Sequence, residues 1–178
     1  MKTIKTLPPQ VHMTNNPDFK LHSIRFGGGP LGSWIKPEQT FWTSTYTPNK
    51  KYKSSWEVFL AEEDDNLTPR AKSISSWKKE YYYAYLIDVA PKSRILDIET
   101  TDDLLDFEEK YVVYKDIKNP KTEKWSKLYN GRVRWHQVAE NYDAVHYSGR
   151  TAKIGTFNGW DVESTVWFRN RFLSMRRL

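Results

Sequence analysis

Asp161 and Glu163 stand two apart in the stretch GWDVESTVWF and so share one face of an extended segment. Around them Trp160, Val162, Val166, Trp167 and Phe168 make the stretch largely apolar. Acids in such a setting are expensive to bury unless they have partners or a reaction to serve. That context favours a functional site at this pair. A second set lies in FWTSTYTP, where Ser44 and Tyr46 share a strand face and Trp42 or Tyr46 offers a ring for stacking. A third is Lys20–Phe26, read as a strand with Leu21, Ser23 and Arg25 on one face and His22, Ile24 and Phe26 on the other. One of His22 and Arg25, not both, then enters any one cleft.

Other chemistries find little support. The chain has no cysteine, which removes thiol nucleophiles, disulfides and Cys-ligated metals. His12, His22, His136 and His146 show no helical metal spacing, so no metal is expected. Gly27-Gly28-Gly29-Pro30-Leu31-Gly32 satisfies G-x-G-x-x-G in letters. Pro30 in mid-motif, with Trp34-Ile35-Lys36-Pro37 after it, denies the helix opening a dinucleotide site needs, and the segment reads as a turn. Neither a P-loop nor a G-x-S-x-G elbow is present.

The elements that must hold these residues read as α+β, with more strand than helix. Gln39–Thr47 is an extended piece. Ser54 and Glu57 have capping-box spacing before a helix expected to end near Asn66. Glu80–Val89 is a ring-rich strand and Ser93–Ile98 a shorter one. Thr101 is expected to cap a helix carrying Asp102 and Asp103 in its first turn. Residues 115–124 read as a polar loop. A helix near Trp135–Glu140, a strand Tyr142–Ser148, a strand Trp160–Phe168 and a basic tail complete the chain. Residues 1–19, with three prolines, read as an irregular arm, and residues 20–178 as one domain.

The 178 residues suit a single domain, and eleven Tyr, eight Trp and eight Phe supply a core although only 38% of residues are apolar. No stretch approaches the roughly 18 apolar residues of a membrane span. The N-terminus has no apolar leader region, so a cytoplasmic protein without a membrane partner is expected. The net charge of +6 is concentrated in residues 121–178, which carry 11 basic and 5 acidic side chains. Arg132, Arg134, Arg150, Arg169, Arg171, Arg176 and Arg177 are interleaved there with Trp135, His136, Tyr147, Trp160, Trp167 and Phe168. Such a surface could hold phosphates and stack bases, so one reading is a non-catalytic basic and aromatic nucleic-acid-binding module.

Taken in order, the early strand with His22 and Arg25, the W-T-S-T-Y strand and the late Asp161-x-Glu163 resemble the NAD-dependent ADP-ribosyltransferase fold. The resemblance covers about residues 20–170. More narrowly, FWTSTYTP, SSW, YDAVHYS and WDVESTVWF resemble small phage and bacterial proteins with a W-T-S motif. It implies a single domain with a mixed, mainly antiparallel split sheet and a few flanking helices. It also implies NAD as substrate, and transfer of ADP-ribose to a macromolecular acceptor, nucleic acid or protein. In the arginine-serine-glutamate variant Arg25 would hold phosphate, and Ser44 with Thr43 and Thr45 would support the nicotinamide ribose. Glu163 would then be catalytic, with Asp161 at the position that orients the acceptor. The histidine-tyrosine-glutamate variant would use His22, Tyr46 and Glu163. Arg25 and the Thr43-Ser44-Thr45 triplet favour the first variant. A transferase-like fold serving only as a structural or inhibitory partner is a third reading.

Overall fold

The computed structural model describes residues 1–21, 24, 26, 37, 40–59, 83–118, 121–123, 125–149, 157, 160 and 162–178. The strands are β1 (Lys2–Ile4), β2 (Gln10–Thr14), β3 (Phe41–Thr45), β4 (Tyr83–Val89), β5 (Ile95–Ile98), β6 (Val112–Lys118), β7 (Trp125–Val133), β8 (Ala144–Tyr147), β9 (Ser164–Trp167) and β10 (Phe172–Arg177). Eight of them form one sheet in the order β1-β5-β8-β9-β3-β2-β4-β10, and β6 and β7 form a separate hairpin. Every neighbouring pair in the large sheet is antiparallel except β5 and β8.

The sheet divides at β3. Phe41–Thr43 pair with β9, whereas only Ser44 and Thr45 pair with β2. Two residue pairs thus join a wing of β1, β5, β8 and β9 to a wing of β2, β4 and β10. Alternation gives the first wing two buried faces. Leu96, Ile98, Val145, Tyr147 and Val166 turn towards helices Thr101–Tyr111 and Trp135–Asn141, where Phe107, Trp135, Phe157 and Trp160 fill the core. Ile95, Ala144, Trp167 and Phe41 turn the other way and meet Ile87 and Val89 of β4, so the sheet curls onto itself.

Thr100, one residue before the expected position, caps the Thr101–Tyr111 helix. Its hydroxyl accepts from Asp103 N–H at 3.1 Å while the Asp103 carboxylate accepts from Thr100 N–H at 3.0 Å, a reciprocal capping box. A helical turn over residues 55–59 follows Ser54, whose Oγ accepts from Glu57 N–H at 3.2 Å.

Four expectations are corrected. Residues 1–19 are not an irregular arm: β1 and β2 lie within them, and β2 is an interior strand of the sheet. Pro8, Pro9 and Pro17 sit outside both strands, where no ladder N–H is required of them. Residues 115–118 belong to β6 rather than to a polar loop, because a two-stranded ribbon needs little apolar surface. The basic tail is β10, an edge strand, where exposed arginines guard against unwanted pairing. Within the expected strand Lys20–Phe26, the described residues Lys20, Leu21, Ile24 and Phe26 belong to no strand. His22, Ser23 and Arg25 lie outside the described residues, as does the Gly27–Gly32 turn. Among the described residues no helix is long and apolar enough to cross a membrane.

Candidate active site

Glu163 immediately precedes β9, at the point where the sheet divides. Its Oε1 accepts from Thr45 Oγ1 at 3.0 Å, and its Oε2 accepts from Thr45 N–H and Ser55 Oγ, each at 3.0 Å. Three elements therefore hold one carboxylate: the end of β3, the 55–59 turn and the lead-in to β9. Gly149 permits the fit from a fourth side. It has φ +73°, and a Cβ there would come within 3.1 Å of Glu163 N.

A row of register partners crosses the wing beside it. Lys2 pairs with Asp97, Asp97 with His146, His146 with Thr165, and Thr165 with Thr43. His146 Nδ1 lies 2.9 Å from Thr165 Oγ1 and 3.4 Å from Glu163 Oε1. Burial pushes the Asp97 carboxyl above the usual aspartate range, and the nearby His146 and Lys2 only partly offset it. A cleft of about 330 Å³, at the low end for ligand pockets, opens over Thr45, Ser55, Asp97, His146 and Glu163. Ile4 and Leu7 form an apolar wall, and Glu99 and Ser148 stand at its polar margin.

Gln10 of β2 holds the floor from behind and is fully buried. Its Oε1 accepts from Thr43 Oγ1 at 2.9 Å and Thr165 Oγ1 at 3.1 Å. Its Nε2 donates to Pro8 O at 3.1 Å and Thr45 Oγ1 at 3.3 Å. Gln10→Leu would strand two buried hydroxyls and a carbonyl, so it is expected to cost about 2–3 kcal/mol in urea unfolding.

The structure sorts the expected site residues. Thr43 and Thr45 share the face that carries Glu163. Ser44 points to the opposite face, is fully buried, and its Oγ has no hydrogen-bond partner among the described residues. Trp42 packs edge-on against Trp160 at 4.7 Å on the helix side, so it belongs to the core rather than to the cleft. Tyr46 follows the strand end, donates its N–H to Pro9 O at 2.8 Å and does not line the cleft. His22, Arg25 and Asp161 lie outside the described residues. Ser55, Asp97 and His146 were not singled out from sequence. Asp97 alone carried a legible signal, as the one acid inside the apolar run ILDI.

Among the described residues, five of the six rings expected on the arginine and aromatic surface are buried. Trp135, Tyr147, Trp160, Trp167 and Phe168 are each at most 2% exposed: Trp135, Tyr147, Trp160 and Phe168 pack together on the helix side, and Trp167 packs against Phe172 on the other face. Arg169 and Arg171 are drawn onto the buried Asp143, at 3.2 Å each. Among the described residues no group of three or more His, Asp or Glu is arranged to hold a metal ion. Searches among protein-family models, curated proteins and solved structures find no match to this chain.

Proposed function

We propose that the chain is a mono-ADP-ribosyltransferase, cytoplasmic in location, that breaks the nicotinamide–ribose bond of NAD and passes ADP-ribose to a nucleic acid or a protein. The observation that carries this reading is Glu163. It is a carboxylate fixed by Thr45 and Ser55 beside the β3–β9 edge of the curled sheet, facing a cleft. Such a group acts on the sugar as follows. The C1′–N bond breaks, its electron pair leaves with nicotinamide, and positive charge spreads over C1′ and the ring oxygen. Glu163, accepting a hydrogen bond from the 2′-hydroxyl, stabilises that charge without having to reorganise. The acceptor then bonds to C1′ from the opposite side and loses a proton. Thr45 keeps the carboxylate aimed; Ile4 and Leu7 shield part of the cleft from water. Arg25 and Asp161 are assigned here only by resemblance, to phosphate and acceptor respectively, with His22 in place of Arg25 in the histidine-tyrosine-glutamate variant.

The test is incubation of purified protein with NAD labelled in its adenylate half, together with cellular protein, RNA or DNA in separate tubes. Released nicotinamide and label on one macromolecular fraction are the expected result. NAD left intact in every tube would remove the enzymatic reading.

A further inference from the structure

The hydrogen bonds behind the cleft have a direction, and that direction fixes the proton on His146. Pro8 O can only accept, so the side-chain nitrogen of Gln10, 3.1 Å away, must face it. Gln10 Oε1 is thereby turned to Thr43 and Thr165, and both hydroxyls donate to it. A hydroxyl has one proton to give. Thr43 Oγ1, its proton spent, accepts from the donor-only Trp167 Nε1 at 2.9 Å. Thr165 Oγ1, its proton likewise spent, can only accept from His146 Nδ1 at 2.9 Å. Nδ1 therefore carries the ring hydrogen, shared with Glu163 Oε1 at 3.4 Å. In the neutral ring the lone pair then sits on Nε2. Among the described residues Nε2 has no hydrogen-bond partner and is not sealed from solvent, and the ring lines the cleft.

We infer that His146 is locked as the Nδ1–H tautomer and that its Nε2 is the base that takes the proton from the nucleophile attacking the sugar. The second half rests on the transfer reaction proposed above. Once nicotinamide has departed with the electrons of the old bond, an acceptor oxygen or nitrogen bonds to C1′ and its proton passes to Nε2. Glu163 beside β9 and Asp97 of β5 face the imidazolium so formed. Lys2 of β1 lies beyond Asp97, and Glu99 stands at the cleft margin.

Two measurements separate the halves. Nitrogen-15 NMR of the free protein at about pH 8.5, two units above an ordinary histidine pKa, should show Nδ1 bearing hydrogen and Nε2 bare. Thr165→Val should weaken that preference, leaving Glu163 Oε1 at 3.4 Å as the remaining acceptor. A wild-type ring protonated at Nε2 overturns the lock, whatever the protein does to NAD. For the base, nicotinamide release from NAD in water is followed for the wild type, His146→Ala and His146→Gln. His146→Ala should fall about 10²-fold and recover in part with added imidazole. His146→Gln, its site filled, should fall as far and not recover. An unchanged rate in His146→Ala overturns the base while leaving Glu163 its role. A wild type that releases no nicotinamide overturns the transferase reading, and the base with it, leaving the tautomer to the NMR result.

Discussion

Glu163→Gln should lower nicotinamide release from NAD by about 10²–10³-fold, the loss seen when one preorganised electrostatic partner is removed from a developing charge. The substitution isolates charge from shape. Glutamine has nearly the same volume, and its remaining oxygen, in the place of Oε1, can still accept from Thr45 N–H at 3.2 Å and from Thr45 Oγ1 at 3.0 Å. The new amide nitrogen would face Ser55 Oγ, which can turn its own proton to the Glu163 carbonyl, also 3.0 Å away. Stability should therefore move by less than about 1 kcal/mol, and KM for NAD should move less than kcat. Steady-state release rates and a thermal melt on the same preparation check both parts. A glutamine variant that folds and keeps a rate within about threefold of wild type would remove Glu163 from the chemistry.

The sequence made Glu163 visible through the cost of an acid among tryptophans and valines. It could not make visible what that acid touches. Thr43, Ser44 and Thr45 read as one triplet, and only the register of β3 on β9 decides that the two threonines face the carboxylate while Ser44 faces the helices. Asp97 and His146 are register partners on parallel strands separated by a helix, a hairpin and another helix. No local spacing reports such a pair. The rings of the C-terminal third were legible as core material. Their alternation with arginines misled, because neighbours along a strand or turn point to different environments. β2 was hidden for a related reason: QVHMT has no clean period, and its place between β3 and β4 is set by partners on both sides. By contrast β4, the Thr101–Tyr111 helix and the Trp135–Asn141 helix follow from local patterns: β4 ends at Val89 and the last helix begins at Trp135 as read, and the first helix is capped one residue earlier than read.

Asp143→Asn should destabilise the fold by about 3 kcal/mol, the low end for breaking a buried ion pair. Asp143 is fully buried, and three arginines converge on it. Arg169 and Arg171 reach it at 3.2 Å, Arg94 at 3.7 Å, and the Arg94 N–H donates to it at 2.8 Å. The guanidiniums are half-exposed and can return to water, which is why the low end applies. These contacts tie the starts of β5 and β8 to the turn between β9 and β10. Burial alone would push the Asp143 carboxyl up; the Arg94 N–H, then Arg171 and Arg94, outweigh it and hold it below the usual range. Its stabilisation is thus complete above an unfolded pKa of about 3.9 and is lost as pH falls through the lower folded value. Asp97 has the opposite sign. Its folded pKa is raised, so its favourable contribution exists below about pH 3.9 and is lost as pH rises through the folded value. At pH 7, then, Asp97→Asn should raise the melting temperature while Asp143→Asn lowers it, and below pH 3 both differences should shrink. Melts of the wild type and the two variants at pH 7, 5 and 3 read the contrast directly. A lowered melting temperature for Asp97→Asn at pH 7 would make that carboxylate structural. A raised one would mean that the chain keeps a destabilising charge one strand from His146, the pattern expected of a site that trades stability for activity.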